Sequence, residues 1–370
     1  MLKVLHTLDS LGRGGAEMQA LDVCRNAKNH GLDLTFVATG DGALEADFRQ
    51  SGAEFIRLSR RLPVDFNVVR QLRKIIKQRE IQIVQGYQPV EGLHLYLACI
   101  GLPVKRVLSF QGFIYDKKNQ RTARFLIPQM HANIVVSRGL QNWLEEVDKL
   151  NVRQNFHVVY NGADGERILS NRKILREELN LLGGDLLFGM IANFYRDPRK
   201  DQMTICRALP KVFAEIKRAH CVFVGRIETG AEEKFEACVR FCAENGIADR
   251  VHFLGGRGDV PDVLASLDLF VFSSLQEGLP VAVTEAMLAK VPMIVSDIEP
   301  LMEVSDNGKY AEVFQTQNAS ELSEKILKLL TDKNLREDLG GRAFDFAREN
   351  FSIEAHLKNL KNLYESLLKK

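Results

Sequence analysis

The chain has 370 residues, with 50 Lys and Arg against 48 Asp and Glu and a formal net charge of +2. That length is comfortable for two domains, and a charge so nearly balanced leaves no nucleic-acid footprint. No stretch approaches the roughly 18 consecutive apolar residues of a membrane span, and six scattered cysteines without a C-x-x-C pair fit reduced thiols in a cytoplasm rather than a metal site or a disulfide framework.

The opening, MLKVLHTLDS, predicts a strand over residues 3–7 rather than the apolar core of a signal peptide. A turn of Gly12, Arg13, Gly14, Gly15, Ala16 and Glu17 follows, then a helix to about residue 28. Glycines between a strand and a helix let the backbone approach a phosphate, and they also suit a plain tight turn. A dinucleotide fingerprint fails here. Glu17 stands at the third glycine position, and the next strand, LTFVATG, ends without an acid for a ribose. Strands over 34–38, 55–58, 81–85, 104–110 and 132–137 alternate with helices over 44–50, 68–78 and 90–98 and one running through Trp143. That alternation predicts a doubly wound parallel sheet. Two runs are rich in Lys and Arg: segment 57–79, and a loop at 115–124, YDKKNQRTAR. Each reads either as a solvated face or as a contact with anionic lipid.

The stretch VVYNGAD, Val158 to Asp164, contains an Asn-Gly turn. The charged segment 167–178 then leads into a new strand, so a domain boundary falls at 166/167. The second half continues with a strand over 187–192 and the loop NFYRDPRKDQ, which carries Asn193, Arg196, Arg199 and Lys200. A helix runs on to about 217. A cation just before a helix start disfavours the helix itself, so Lys200 reads as a phosphate ligand rather than a solvated side chain. The strand CVFVG ends at Gly225, with Arg226 next, and a helix spans 231–245. Strand 251–254 opens onto Gly255, Gly256, Arg257, Gly258, Asp259 and Val260, and a helix spans 260–266. Strand 269–272, the turn SSLQEGLP, a helix to 290 and strand 293–295 then form one βαβ unit. Pro280 suits the first turn of its helix. Glu277 falls just ahead of that helix and Glu285 about a turn and a half inside it. A helix start attracts anions and the carboxylates accept hydroxyls, and a sugar nucleotide carries both groups. A strand over 308–314 and helices over 320–330, 333–349 and 353–369 close the chain, the last with a stripe of Leu357, Leu360, Leu363 and Leu367 that must pack on something.

The two glutamates in EGLPVAVTEAM resemble the signature of retaining GT-B glycosyltransferases, above all glycosyltransferase family 4. The Gly-Gly-Ala-Glu turn and V-x-N-G-x-D are similar to that family as well. The resemblance implies a GT-B fold, two Rossmann-like doubly wound parallel-sheet domains facing a central cleft. Residues 1–166 would bind the acceptor and 167–351 the nucleotide sugar, with helix 352–370 returning to the first domain. It implies a catalytic set of Glu277, Lys200, Arg196 and Gln111. Donor contacts would come from Gly14, Gly15, Asn193, Lys200, Gly225, Arg226, Arg257, Gly258, Val260, Glu277, Gly278, Leu279, Pro280 and Glu285. Two positions depart from the family: Gln111 stands where a histidine is common, and Asn193 where an arginine is common. After Asp297 the family's two glycines are replaced by Pro300, Leu301 and Met302 before Glu303.

No D-x-D chelate occurs anywhere in the chain. The expectation is therefore a metal-independent enzyme with no cofactor beyond its co-substrate. It would move a hexose or N-acetylhexosamine from a nucleoside-diphosphate sugar, UDP favoured, to a glycan or lipid-linked acceptor in polysaccharide, lipopolysaccharide or glycolipid synthesis. Its place would be the cytoplasm, with peripheral contact at the inner membrane leaflet through segments 57–79 and 115–124. The alternatives are a sugar-nucleotide epimerase or hydrolase on the same fold, or an inactive sugar-nucleotide-binding protein.

Overall fold

A computed structural model describes every residue except Tyr115, Arg153, Gln154, Asn171 and Lys370. The chain divides into two compact units, one of Met1–Gly162 with Asn350–Lys370 and the other of Ala163–Glu349. The first holds β1 (Leu2–Leu8), β2 (Leu32–Ala38), β3 (Glu54–Arg57), β4 (Ile83–Tyr87), β5 (Lys105–Phe110), β6 (Ala132–Val135) and β7 (Phe156–Val158). They pair in parallel, in the order β3-β2-β1-β4-β5-β6-β7. The second unit holds β8 (Leu186–Ile191), β9 (Ala219–Val224), β10 (Val251–Phe253), β11 (Leu269–Phe272), β12 (Met293–Ser296) and β13 (Glu312–Phe314). These also pair in parallel, in the order β10-β9-β8-β11-β12-β13. Both sheets are the doubly wound kind that the alternating sequence predicts. Helices cover both faces of the first sheet: Val4, Phe36 and Ile83 enter one core of the first unit, and Leu5, Val37 and Val84 the other. Strand order reverses between β1 and β4, and between β8 and β11. Those are the points where open parallel sheets take ligands, just beyond the strand ends.

The last helix, Ile353–Leu368, belongs to the first unit. Leu357, Leu360, Leu363, Tyr364 and Leu367 all enter its core. Ser352 caps the helix, accepting from the Ala355 N–H at 3.2 Å. The Tyr364 hydroxyl donates to Gln85 Oε1 at 2.7 Å and lies 2.8 Å from His6 Nε2. Gly162 permits this return, since a Cβ there would sit 2.4 Å from the Ser352 carbonyl oxygen.

Two local expectations are corrected. Segment 115–124 is not a loop: the helix Lys117–Leu126 occupies it, capped by Asp116, which accepts from Asn119 N–H at 2.8 Å. Lys, Arg and Gln are good helix formers, and their charge masks the narrow apolar stripe of Ala123 and Leu126. Tyr115 itself lies outside the described residues. The strand predicted over 308–314 is only β13, because Gly308 turns the chain at φ +84°. The edge strand β7 and the helix Glu299–Val304 are not among the predicted elements, because 3 and 6 residues are too short to show a period.

Candidate active site

The C-terminal ends of β8, β11 and β12 are stitched together by backbone and serine hydroxyls. Beyond β8 the loop folds onto the loop beyond β11: Asp201 N–H donates to the Ser273 carbonyl at 3.1 Å, and Leu275 N–H to the Arg199 carbonyl at 2.8 Å. Ser296, at the end of β12, accepts from Ser274 N–H at 3.0 Å and donates to the Ser274 carbonyl at 2.7 Å. Ser273, Ser274 and Ser296 are wholly buried. They are structural members of the site that motif reading passes over, since lone serines after a strand carry no pattern.

This stitching brings Lys200 to Glu277. The Lys200 ammonium donates to Glu277 Oε1, and Ser274 Oγ donates to the same oxygen at 2.5 Å. Lys200 Nζ also lies 4.4 Å from the centre of the Phe272 ring. Both side chains are nearly closed to solvent, with 11% and 9% of their surface exposed. Burial lowers the Lys200 pKa, and the Glu277 charge beside it opposes that shift. Asp201 caps the following helix, Gln202–Glu215, by accepting from Thr204 N–H at 3.2 Å. A carboxylate at the cap offsets the cost of a lysine at the helix start.

Glu277 precedes the helix Val281–Leu288, whose N-cap is Pro280, and Glu285 lies inside that helix. Glu285 has its own cation: Arg167 Nη2 donates to its Oε1 at 2.8 Å. Arg167 sits on the short helix Gly165–Ile168, which Asp164 caps through the Glu166 N–H at 3.0 Å. The sequence shows Arg167 only as the start of a charged stretch. Its partner is 118 residues away, a separation no local pattern reports.

The remaining candidates of this unit divide by what holds them. Asn193 donates to Glu228 Oε1 at 3.1 Å and accepts from Arg226 N–H at 2.9 Å. Arg226 lies within 3.6 Å of the same Glu228. Arg199 is clamped by Asp197, at 2.7 Å, and stacks over Tyr195. Arg196 is exposed and forms no ion pair among the described residues. Arg257 is held by Glu178 at 2.7 Å and Asp259 at 2.5 Å, which raises its already high pKa further. Its loop leads into the helix Val260–Ser266 just after Gly258. Gly225 is required by a close approach, since a Cβ would lie 2.1 Å from the Ala192 carbonyl oxygen.

In the first unit, Gly14 is the N-cap and Gly15 the first residue of the helix Gly15–Asn26, after the loop that follows β1. Gln111 follows β5, its amide set from both sides. It donates to Ser109 Oγ at 2.8 Å and accepts from Asn161 Nδ2 at 3.0 Å. Asn161 is the asparagine of the V-x-N-G-x-D turn, so that turn holds Gln111 in place. Among the described residues no three His, Cys, Asp or Glu side chains come together as a metal site would need.

Residues 13–167 match the family described as Glycosyltransferase Family 4, and residues 171–346 the family described as Glycosyl transferases group 1. The chain is similar to the N-acetyl-alpha-D-glucosaminyl L-malate synthase of Bacillus anthracis, 25% identical over 317 residues, covering 83% of this chain and 80% of that protein. It is also similar to the UDP-Gal:alpha-D-GlcNAc-diphosphoundecaprenol alpha-1,3-galactosyltransferase of Escherichia coli, 23% identical over 391 aligned positions, covering 98% and 96% of the two chains. The crystal structure of Anabaena Alr3699/HepE in complex with UDP and glucose superimposes with a TM-score of 0.85 at 19% identity, over 99% of this chain and 100% of that one. That likeness shows a GT-B fold.

Proposed function

Since the chain belongs to the glycosyltransferases, a Family 4 domain followed by a group 1 domain, we propose that it transfers a hexose or N-acetylhexosamine from a UDP-sugar to a lipid-linked or glycan acceptor with retention. The product would enter a cell-surface polysaccharide or a glycolipid. The observation that carries this reading is the buried Lys200–Glu277 pair at the strand ends of the second sheet, ahead of the Val281–Leu288 helix. A cation and a helix start side by side stabilise negative charge as it builds on a departing diphosphate. Glu277 accepts hydroxyls of the donor sugar, and Glu285, oriented by Arg167, accepts those of the ribose. The anomeric C–O bond to the diphosphate breaks, and the acceptor oxygen bonds to the same face. The acceptor proton passes to the departing phosphate oxygen, so no protein base is required. Lys200 supplies charge that a divalent ion would otherwise bring, and the lack of a D-x-D chelate agrees with this. UDP as the base carrier is supported by the E. coli relative, whose donor is UDP-galactose, and by the Anabaena structure with UDP. A lipid diphosphate acceptor is supported by the same E. coli relative.

The test supplies UDP-, GDP- and ADP-linked sugars with and without a polyprenyl-diphosphate sugar, measures the nucleoside diphosphate released, and reads the product anomer by NMR. Acceptor-dependent release of UDP with the donor's anomeric configuration kept is expected. Release without acceptor marks a hydrolase, and an inverted anomer refutes the mechanism.

A further inference from the structure

The helices Phe66–Gln78, Pro89–Ala98 and Lys117–Leu126 form one layer on the first sheet, the middle one packed against both others. The two basic runs, far apart in sequence, therefore share one surface. On the first helix Phe66, Arg70, Lys74 and Lys77 follow each other at helical spacing and all face solvent. Phe66 is 72% exposed, and Leu62, just before it, 62%. On the third helix Lys118 and Arg121 are exposed and Phe125 is 49% exposed.

The acids that would neutralise these cations are occupied elsewhere. Asp65 is buried and accepts from the N–H groups of Arg61, Asn67 and Val68. Glu91 is buried in the middle helix, and Asp116 caps the third. Elsewhere on this unit Lys3, Arg25, Arg49, Arg60 and Arg79 each meet a carboxylate. Arg61, Arg70, Lys74, Lys77, Lys118 and Arg121 form no ion pair among the described residues. A recess of about 500 Å³, lined in part by Arg57, Arg61, Leu62 and Gln71, opens beside them.

We propose that this layer is a docking surface for an anionic phospholipid bilayer, with Arg70, Lys74 and Lys77 meeting headgroup phosphates and Phe66 and Leu62 entering the interface. Unpaired cations beside exposed apolar side chains match the chemistry of that interface, where electrostatic attraction and apolar burial add. A soluble anionic partner would use the cations but leave Phe66 and Leu62 in water. The inference rests on the lipid-linked acceptor proposed above, which would be met at the bilayer surface. Binding is measured without donor or acceptor, so the two proposals fail separately.

The experiment is co-sedimentation of the full chain with vesicles of phosphatidylcholine alone or mixed with phosphatidylglycerol. The parent should bind only the mixed vesicles, and less at high salt. The triple variant Arg70→Ala, Lys74→Ala, Lys77→Ala should bind about a hundredfold more weakly, roughly fivefold per cation removed. Phe66→Ser should weaken binding while leaving its salt dependence unchanged. All four positions are exposed, so circular dichroism should be that of the parent. A variant of Arg240, an exposed residue of the other unit, should bind like the parent. Binding to neutral vesicles as strong as to anionic ones, no binding at all, or a triple variant that binds like the parent would overturn the proposal. If the parent binds mixed vesicles yet transfers no sugar to a lipid-linked acceptor, docking stands and the acceptor assignment falls.

Discussion

The Lys200–Glu277 contact is a buried ion pair with a hydroxyl, Ser274, as third member. Removing one charge from such a pair strands the other. Glu277→Leu should therefore cost about 3–5 kcal/mol, whereas Lys200→Met with Glu277→Leu should cost much less than the sum of the two single changes. Urea denaturation of the three variants gives the cycle, and additive costs would show that the contact carries no coupling. The two acids should also separate kinetically. Glu285→Ala, and Arg167→Ala through it, should raise the apparent KM for the nucleotide sugar. Glu277→Ala should chiefly lower kcat. Equal effects on both parameters from both acids would refute this division of roles. How much of this is legible in sequence depends on range. Glu277, Glu285 and Lys200 each stand in a local strand-turn-helix pattern and can be picked singly. That Lys200 meets Glu277 is not legible, because 77 residues separate them and only the fold closes the gap. The same holds for Asn161 and Gln111, 50 residues apart.

At the scale of elements, the returning C-terminal helix carries a buried polar cluster. His6 on β1 lies 3.2 Å from the Tyr87 hydroxyl and 2.8 Å from that of Tyr364. His356 Nδ1 lies 2.7 Å from the Tyr160 carbonyl oxygen, and its Nε2 lies 2.9 Å from Gln19 Nε2. Burial pushes the His6 pKa down to about 3, with His356 adding to the shift, and burial pushes His356 itself down to about 4. Unfolded histidine titrates near 6.5. Between that pH and about 4 the unfolded chain binds more protons than the folded one. The stability is therefore complete above pH 6.5 and falls as the pH falls, by about 2 kcal/mol per histidine at pH 5. Denaturation midpoints from pH 7.5 to 4.5 should fall with this slope, and a His6→Gln, His356→Gln variant should flatten it. An unchanged slope would show that other groups govern acid unfolding. The apolar stripe of this helix is plain in the sequence, but its docking place is not, since a stripe names no partner. The Lys117–Leu126 helix is illegible for a different reason: its charge density hides a one-turn apolar contact.

At the scale of the molecule, both parallel sheets are legible because the strand–helix alternation is repeated, even where a strand such as β3 mixes charged with apolar residues. The order of strands is not legible in this way: right-handed crossovers narrow the topologies, and only the pairing in the fold chooses among them. A ligand that binds only the folded state should raise its stability, by about 2.7 kcal/mol at a hundred times its Kd. UDP should therefore raise the Tm of the parent and do so less for Glu285→Ala, whereas an unchanged parent Tm at saturating UDP would speak against a nucleotide site. In the proposed mechanism Lys200, Glu277 and the helix start manage the diphosphate without a divalent ion. This is tested most directly by acceptor-dependent release of UDP from a UDP-sugar in excess EDTA, for the parent and for Lys200→Ala. EDTA should leave the parent's rate unchanged, and Lys200→Ala should lose about a hundredfold or more of it. A rate abolished by EDTA and restored only by a divalent ion, or a Lys200→Ala enzyme as fast as the parent, would contradict that mechanism.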